Sequence, residues 1–491
     1  MMNINRRKIF NGLKDRTILM ICLSVLSVFV LVAYVLAALH AGINCDTGYY
    51  LGVVELLHEG LVPYKDFALG YTPLAMYLLL IPRFFTSSYS IIMLFHSLIL
   101  FTDAVLLAVC VYKEVRRVLL SWTIGLVFLV LSYYLEGIYL YLEPYSIFFG
   151  ECAMIVMLSL KEKGASKRRF VLLLVSGAFS SLAFLSKQYG IVFAAYIGIM
   201  ALLSSETWKR KVLDCIVLFC GFCVPVVLVV FLFAINDGSI SELYAQLSGN
   251  GYGDRSLGMY KTGVFRVLRL FPWLFFVPVL VLEKDKGKRS LVLSCVAGTF
   301  LVSLQFYFFV WSHYYLFLLP FVLLLFGLIW QSVKSSDDCG LLYLLLYGMF
   351  FTSSVIPLQE VYKTTMFFAK VNQRAGQMEN ASRLKMMKQE CDIEYALCLD
   401  ETVQYYYLCP FKPAGMEKYG FSFGRETEDV MCERLKEADC FIIREKDAEK
   451  IMGWMEFNKC LSDSFVLVNT CSSDNLQVFI REDVYCEWNN L

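Results

Sequence analysis

Long apolar runs dominate this chain, and they restrict what it can fold into more than any other feature. Most of them approach the ~20 residues that a helix needs to cross ~30 Å of hydrocarbon. The composition agrees, because 58% of the 491 residues are hydrophobic and only 18% are charged. The mean hydropathy is +0.59. The sequence therefore predicts an all-α polytopic membrane protein with eleven spans, at 18–39, 90–111, 118–135, 144–160, 170–186, 190–205, 212–235, 264–282, 290–310, 314–332 and 340–356.

Basic residues occupy alternate loops, and this pattern predicts the orientation of the spans. They cluster before the first run and near 113–117, 161–169, 209–211 and 284–289. Positive loops usually face the cytoplasm, so the N-terminus is expected inside and the C-terminus outside the plasma membrane. The scheme requires that 71–85, a short run with two prolines, is an interfacial or re-entrant helix. The expected outer segments are then the large first loop 40–89, 136–143, 236–262 and the link near His313.

The chain changes character after Pro357. We expect a membrane domain over 1–358, a polar helical linker over 359–390 and a small extracytoplasmic α/β domain over 391–491. In the last domain the pattern predicts strands at 393–399 and 440–444, a helix at 428–437, and a hairpin from 465–469 and 476–480. Eight of the 17 cysteines lie in this domain, and their sequence leaves open whether they form disulfides.

Two acids in the first loop are candidate catalytic residues. Asp46 follows the first span, and a carboxylate beside an apolar surface is a stronger base than one in water. It is equally suited to cap the helix that the run Gly48–Leu51 begins. Asp66 lies in the Pro63–Phe67 turn, where it either orients a substrate or closes the turn itself.

Further polar residues stand at the outer ends of the expected spans. Glu143 opens the fourth span, where it either binds substrate hydroxyls or a cation, or interacts with the helix dipole. Lys187 and the adjacent Gln188 end the fifth span, and this lysine either binds a phosphate or snorkels to the interface. The pair His313-Tyr314 either donates to a phosphate or anchors its helix at the interface. The loop residue Arg255 either closes over a phosphate or is simply solvated.

The order of these residues resembles the GT-C glycosyltransferases that use polyprenyl-phosphate sugars. Within them it is similar to the bacterial relatives of protein O-mannosyltransferases and aminoarabinose transferases. The resemblance covers roughly 18–332 and rests on Asp46, on Pro63–Asp66 with Thr72-Pro73-Leu74, on Glu143, on Ser186–Gln188 and on His313–Tyr315.

The resemblance implies a transferase that moves a sugar from a polyprenyl-phosphate donor to an acceptor hydroxyl at the outer face, by an inverting single displacement. Asp46 would be the general base, assisted by Asp66. The substrate-binding residues would be Glu143, Lys187, Gln188, Arg255, His313 and Tyr314. The acceptor would be a glycan, a lipid or a protein, and the tail of the donor would lie among membrane lipids.

The chain also departs from that family. Tyr71-Thr72-Pro73 stands where aminoarabinose transferases have Lys-Pro-Pro, Glu143 replaces an Asp, and Thr47 stands where a second acid would follow Asp46. No cofactor is required by these residues, although a divalent metal between Asp46 and phosphate stays open. With a net charge of +1, nothing indicates nucleic acid. Two other functions stay open, a transporter or flippase of lipid-linked sugars and a non-catalytic subunit of cell-envelope assembly.

Overall fold

The membrane part is a bundle of helices. In a computed structural model, the chain is described over 2–161, 166–204, 207–235, 256–278, 286–308, 310–334, 340–399, 402–416, 427–449, 453–471 and 476–485, with the single residues 240, 244 and 451. The helices whose bounds lie within the described residues of this part are α1 (Met2–His40), α2 (Cys45–His58), α3 (Leu74–Phe85), α4 (Tyr89–Val115), α5 (Val118–Tyr134), α6 (Glu143–Leu158), α7 (Ser166–Ser186), α8 (Ile191–Ser204), α9 (Trp208–Ile235), α10 (Leu257–Leu270), α11 (Lys286–Leu304), α12 (Leu319–Lys334) and α13 (Gly340–Phe368).

Seven helical stretches of the described chain are long and apolar enough to cross a membrane, by length and composition. They lie at 20–40, 89–115, 167–186, 208–235, 287–307, 312–333 and 344–368. The chain is a multi-pass, mostly helical membrane protein, as predicted, and the count of eleven spans stays a prediction.

Two predicted spans differ from the structure. The run 264–282 is not one helix, because α10 ends at Leu270 and a 3₁₀ segment begins at Pro272, whose ring cannot continue the helix; residues 279–282 lie outside the described residues. Conversely, α13 continues through Pro357 as far as Phe368, beyond the end predicted for the last span.

The first loop contains two short helices that pack on each other. At ~1.5 Å per residue, the 12 residues of α3 extend only about 18 Å, which is too short to cross the bilayer. Arg83 of α3 donates two hydrogen bonds to Glu55 of α2, at 2.6 and 2.7 Å. This bidentate pair holds α3 against α2, the helix that carries Asp46.

The interior of the bundle depends on close approach between helices. A Cβ atom on Gly177 of α7 would lie 2.1 Å from the carbonyl oxygen of Leu218, and one on Gly221 of α9 would lie 2.2 Å from that of Leu174. Small residues at these two positions let the backbones of α7 and α9 touch, as is common between membrane helices. The stretch 312–333 is the most enclosed of the candidate spans.

The C-terminal part is a small α/β unit, as predicted. Its five-stranded sheet has the order β2-β1-β3-β5-β4, in which β1 is parallel to β2 and β3, and β5 is antiparallel to β3 and β4. The strands are β1 (Tyr395–Cys398), β2 (Lys412–Pro413), β3 (Cys440–Arg444), β4 (Phe465–Cys471) and β5 (Leu476–Arg481). Its helices are α15 (Gln404–Leu408), α16 (Glu428–Glu437), α17 (Glu445–Ala448) and α18 (Met455–Ser464), and α14 (Arg374–Glu390) precedes it within the predicted linker.

The individual elements predicted for this unit are confirmed. The helix at 428–437 and the strand at 440–444 have the predicted bounds, and β4 and β5 form the predicted antiparallel pair. The turn of that hairpin, 472–475, lies outside the described residues. Cys391 is disulfide-bonded, which answers part of the question that the cysteine pattern left open.

The C-terminal unit packs directly on the first loop of the membrane part. Gln404 of α15 lies against Gly48 of α2 so closely that a Cβ on the glycine would be 2.7 Å from the Gln404 backbone. The hydroxyl of Tyr407 donates to the carbonyl of Ser87 at 2.7 Å. The helix that carries Asp46 is therefore enclosed by the C-terminal unit on one side.

Candidate active site

Asp46 is the second residue of α2, next to a helix cap that another residue provides. The side chain of Asn44 accepts a hydrogen bond from the amide of Thr47 at 2.8 Å. Because Asn44 fills the capping position, the alternative interpretation of Asp46 as the N-cap is wrong. Asp46 lies in the first turn and is partly exposed.

The neighbours of Asp46 bind the loop between α5 and α6. The Thr47 hydroxyl accepts from the amide of Leu140 at 3.1 Å, and the Asn44 amide donates to the hydroxyl of Tyr141 at 3.1 Å. Burial raises the pKa of Tyr141, and the charge of Asp46 raises it further. Asp46 and Tyr141 therefore lie close together at one end of the bundle.

Glu143 and Lys187 form a buried ion pair. Glu143 is 0% exposed and Lys187 is 1% exposed, and the ammonium donates to Oε1 of the carboxylate. Lys187 leaves the end of α7 in an extended conformation, and Glu143 is the first residue of α6. The other oxygen, Oε2 of Glu143, has no hydrogen-bond partner among the described residues. Glu143 is thus the partner of Lys187, which the sequence alone did not identify.

His313 lies between two carboxylates. Its Nε2 is 3.9 Å from Oε1 of Glu143, and its Nδ1 is 3.7 Å from Oε2 of Glu136. Both distances are longer than those of hydrogen bonds. The proximity of His313 holds the pKa of Glu136 below its usual range, and a hydrogen bond from Tyr141 at 3.4 Å contributes less. We call Glu136, Glu143, Lys187 and His313 the Glu143 cluster.

Aromatic rings surround this cluster. The ring of Tyr141 stacks on His313 with centroids 4.0 Å apart and an interplanar angle of 14°. The ammonium of Lys187 lies 4.8 Å from the ring centre of Tyr314 and 5.8 Å from that of Tyr71. Cation–π contacts of this kind stabilise a lysine that is shielded from water. Tyr141 therefore joins the Glu143 cluster to the neighbourhood of Asp46.

The other candidates from the sequence have various positions relative to the Glu143 cluster. The side chain of Gln188 donates to the carbonyl of Gly70 at 2.8 Å and so ties the end of α7 to the first loop. Asp66 accepts from the amide of Val62 at 2.6 Å, which closes its own turn. Tyr314 is one of the aromatic residues around Lys187. Its neighbour His313 belongs to the Glu143 cluster. Arg255 lies outside the described residues.

Three residues that sequence reasoning did not select belong to this site. Asn44 caps α2, Tyr141 connects the two halves of the site, and Glu136 faces His313. The aromatic stretch Tyr139–Leu142 was the available signal for Tyr141. Glu136 has a positive φ of 68°, which places its side chain in a turn that the sequence alone does not reveal.

Within the described residues no group of three or more His, Cys, Asp and Glu side chains could hold a metal ion. The described metal-ligating groups of the Glu143 cluster are two carboxylates and one imidazole, and the carboxylate of Glu143 is paired with Lys187.

Comparison with solved structures identifies the fold. The structure of ArnT from Cupriavidus metallidurans in the apo state matches with a TM-score of 0.64 at 12% identity, over 95% of this chain and 98% of that one. The same protein bound to undecaprenyl phosphate matches with a TM-score of 0.62 at 14% identity, over 92% and 96%. The chain has the GT-C fold.

More distant GT-C structures agree. The oligosaccharyltransferase of Archaeoglobus fulgidus in the apo form matches with a TM-score of 0.53 at 12% identity, over 91% of this chain and 73% of that one. No protein-family model matches the sequence, and neither does any curated protein. At these identities the comparisons establish the GT-C fold, and the chemistry is argued from the site.

Proposed function

We propose that this protein is a membrane glycosyltransferase. It moves a sugar from a polyprenyl-phosphate donor to an acceptor hydroxyl on the outer face of the plasma membrane. The observation that carries the proposal is the placement of Asp46 beside the Glu143 cluster, joined to it through Tyr141, in a chain with the GT-C fold. A base and a group of anion-binding side chains are the two things that this transfer needs.

In the proposed reaction, the carboxylate of Asp46 takes the proton of the acceptor hydroxyl. The acceptor oxygen attacks the anomeric carbon of the donor sugar, and the bond between that carbon and the phosphate oxygen breaks. Polyprenyl phosphate leaves with the bonding electron pair. One displacement inverts the anomeric carbon, as in inverting glycoside hydrolysis.

The leaving phosphate is negatively charged, and Lys187 and His313 of the Glu143 cluster are the groups that would stabilise it. Lysine has three N–H donors, and Glu143 accepts from Lys187 at Oε1. We propose that Glu143 positions the ammonium, and that donor phosphate shares it with Glu143 when the aromatic wall opens. His313 and the hydroxyl of Tyr314 are further donors, and fixed donors at a developing charge are a major source of rate acceleration.

The outward orientation has independent support in the C-terminal unit. Cys391 is disulfide-bonded, and disulfides persist in oxidising compartments outside the cytoplasm. This unit packs on α2, beside Asp46, so an acceptor reaching the site from outside would pass its surface. We infer that the C-terminal unit contributes to acceptor binding and that the chemistry belongs to the membrane part.

The deciding experiment replaces Asp46 by Asn. The substitution keeps the size of the side chain but removes its ability to accept a proton. Loss of a general base costs ~10²–10⁴-fold in rate. Purified protein is incubated with a panel of polyprenyl-phosphate sugars and candidate acceptors, and release of lipid phosphate is measured together with donor binding.

A matched control is Asp483→Asn, since Asp483 is an exposed acid of the C-terminal unit that pairs with Arg481. We expect this variant to turn over normally, and the Asp46→Asn protein to bind donor but transfer almost nothing. Near-normal transfer by Asp46→Asn would reject the mechanism and favour a transporter or an assembly subunit.

A further inference from the structure

Two acids lie inside the membrane bundle, away from the site described above. Asp103 is in the middle of α4 and Glu151 is in the middle of α6, and both are 0% exposed. None of their four carboxylate oxygens has a hydrogen-bond partner among the described residues. This is unusual, because a buried carboxylate is normally paired or hydrogen-bonded.

The two carboxyl groups lie at the same depth. Nδ1 of His96 in α4 is 3.4 Å from the hydroxyl of Tyr145 in α6, which sets the two helices side by side. Asp103 follows His96 by seven residues and Glu151 follows Tyr145 by six. With a rise of ~1.5 Å per residue, they lie roughly 10.5 and 9 Å farther along their helices.

The two helices run in the same direction. Cys110, farther along α4, lies within electrostatic reach of Glu151 and Cys152. Asp103 itself lies within electrostatic reach of Glu151. The two acids therefore lie at the same depth in the neighbouring helices α4 and α6, and we call them the intramembrane acid pair.

No cation neutralises this pair among the described residues. The titratable groups within its electrostatic reach are Tyr34 from α1, Tyr145 and Cys152 from α6 and Cys110 from α4. The hydroxyl of Tyr34 donates to the carbonyl of Leu129 at 3.0 Å.

Helix α7, which packs against α6, also has basic side chains near its ends. There Arg169 pairs with Asp214 at 2.5 Å, and Lys187 pairs with Glu143. These cations already have acidic partners, so they do not account for the charge of the intramembrane acid pair.

Two ionised carboxylates without a counter-charge at this depth would cost several kcal/mol each. We propose that the intramembrane acid pair is a proton-binding site, which holds both carboxyl groups protonated in the folded protein at neutral pH. Each carboxylate takes up one proton and becomes a neutral acid. A metal ion fits less well, since the described residues offer no third ligand of the Asp, Glu, His or Cys type.

The proposal has a thermodynamic consequence. Asp and Glu of the unfolded chain ionise near pH 4, so at neutral pH the unfolded chain has lost protons that the folded protein retains. Because the folded state then binds more protons, its stability falls as the pH rises. For two protons, the unfolding equilibrium constant increases by up to about 100-fold per pH unit.

The test compares the full-length wild type in detergent with the double variant Asp103→Asn/Glu151→Gln, which carries neutral side chains of the same shape. Infrared difference spectra report the carbonyl stretch of protonated carboxylic acids. Unfolding is measured at several values between pH 5 and pH 9. We expect a protonated-acid band at pH 7 that the variant lacks, and a weaker pH dependence of unfolding in the variant.

Asp214→Asn is the matched control, since Asp214 is an equally buried acid but is paired with Arg169. We expect this control to lose stability at neutral pH, whereas the double variant should not. If the double variant does not fold, the single variant Asp103→Asn replaces it, and we expect it to lose half of the protonated-acid band. Absence of a protonated-acid band in the wild type at pH 7 would overturn the proposal, and so would stabilisation by added Mg²⁺ or Ca²⁺ that depends on the pair.

Discussion

Replacing Lys187 by Met tests the buried ion pair and its proposed role together. Methionine keeps most of the apolar stem but removes the ammonium, so Glu143 would keep a buried carboxylate with its main partner gone. Both side chains are almost fully enclosed, at 1% and 0% exposure. Removing one member of such a pair costs about 3–5 kcal/mol, mostly because the remaining charge is stranded.

A second substitution separates this cost from any effect on binding. In the double variant Lys187→Met/Glu143→Gln no charge is stranded, so most of the lost stability should return. The two single variants, the double variant and the wild type form a thermodynamic cycle, and unfolding in a denaturing detergent measures each member. We expect a favourable coupling energy of more than about 1 kcal/mol between the two residues, as for groups in direct contact.

Donor binding should follow a different pattern from stability. If Lys187 contacts the donor phosphate, the double variant will be stable yet bind polyprenyl-phosphate sugars weakly, because the cation is still absent. Arg83 offers a control, since it forms a comparable ion pair with Glu55 of α2. Arg83→Met/Glu55→Gln should leave donor affinity close to normal. Wild-type donor affinity in Lys187→Met/Glu143→Gln, or unchanged stability in Lys187→Met, would refute this reasoning.

Three further predictions concern packing, pH and orientation. Gly48→Ala should destabilise the protein by about 1–3 kcal/mol in thermal unfolding, because the new Cβ would lie 2.7 Å from the backbone of Gln404; an unchanged stability would contradict this packing. The lowered pKa of Glu136 stabilises the fold above pH 4.5, and this contribution disappears as the pH falls through the lowered pKa. His313→Asn should therefore reduce the loss of stability below pH 4.5. The effect should be small because Glu136 is 43% exposed, and an identical acid profile would argue against the contact. Single reporter cysteines at 250 and 420 should react with an impermeant reagent in intact cells, and those at 165 and 286 should not; all but 286 lie outside the described residues.

The sequence located four of the site's polar residues, but neither the acid Glu136 nor the contacts that join them. Asp46, Glu143, Lys187 and His313 were found because each interrupts an apolar pattern at the end of a helix. That Lys187 binds Glu143, 44 positions earlier in the chain, depends on how α6 and α7 pack. Sequence spacing carries no information about such a contact, since neither helix pattern specifies its neighbour.

Helix ends were predicted less well than helix positions, for a related reason. Apolar runs mark where the chain lies in hydrocarbon, whereas local backbone geometry marks where a helix stops. Pro272 ended a helix that hydropathy alone had continued, while Pro357 was accommodated inside α13. A proline removes one donor and crowds the preceding turn, and the surroundings decide whether the helix breaks or bends.

The sequence by itself determined that this chain is a helical membrane protein with a small α/β unit, because hydropathy and strand alternation are local properties. It also placed Asp46 at the start of the first loop. Only the tertiary structure decided that Asn44, and not Asp46, caps α2, and that Tyr141 joins Asp46 to the Glu143 cluster. It also revealed that Asp103 and Glu151 are buried at the same depth, with no hydrogen-bond partner among the described residues. These relations join residues of different helices, and the free energy that sets them comes from packing and burial across the whole bundle.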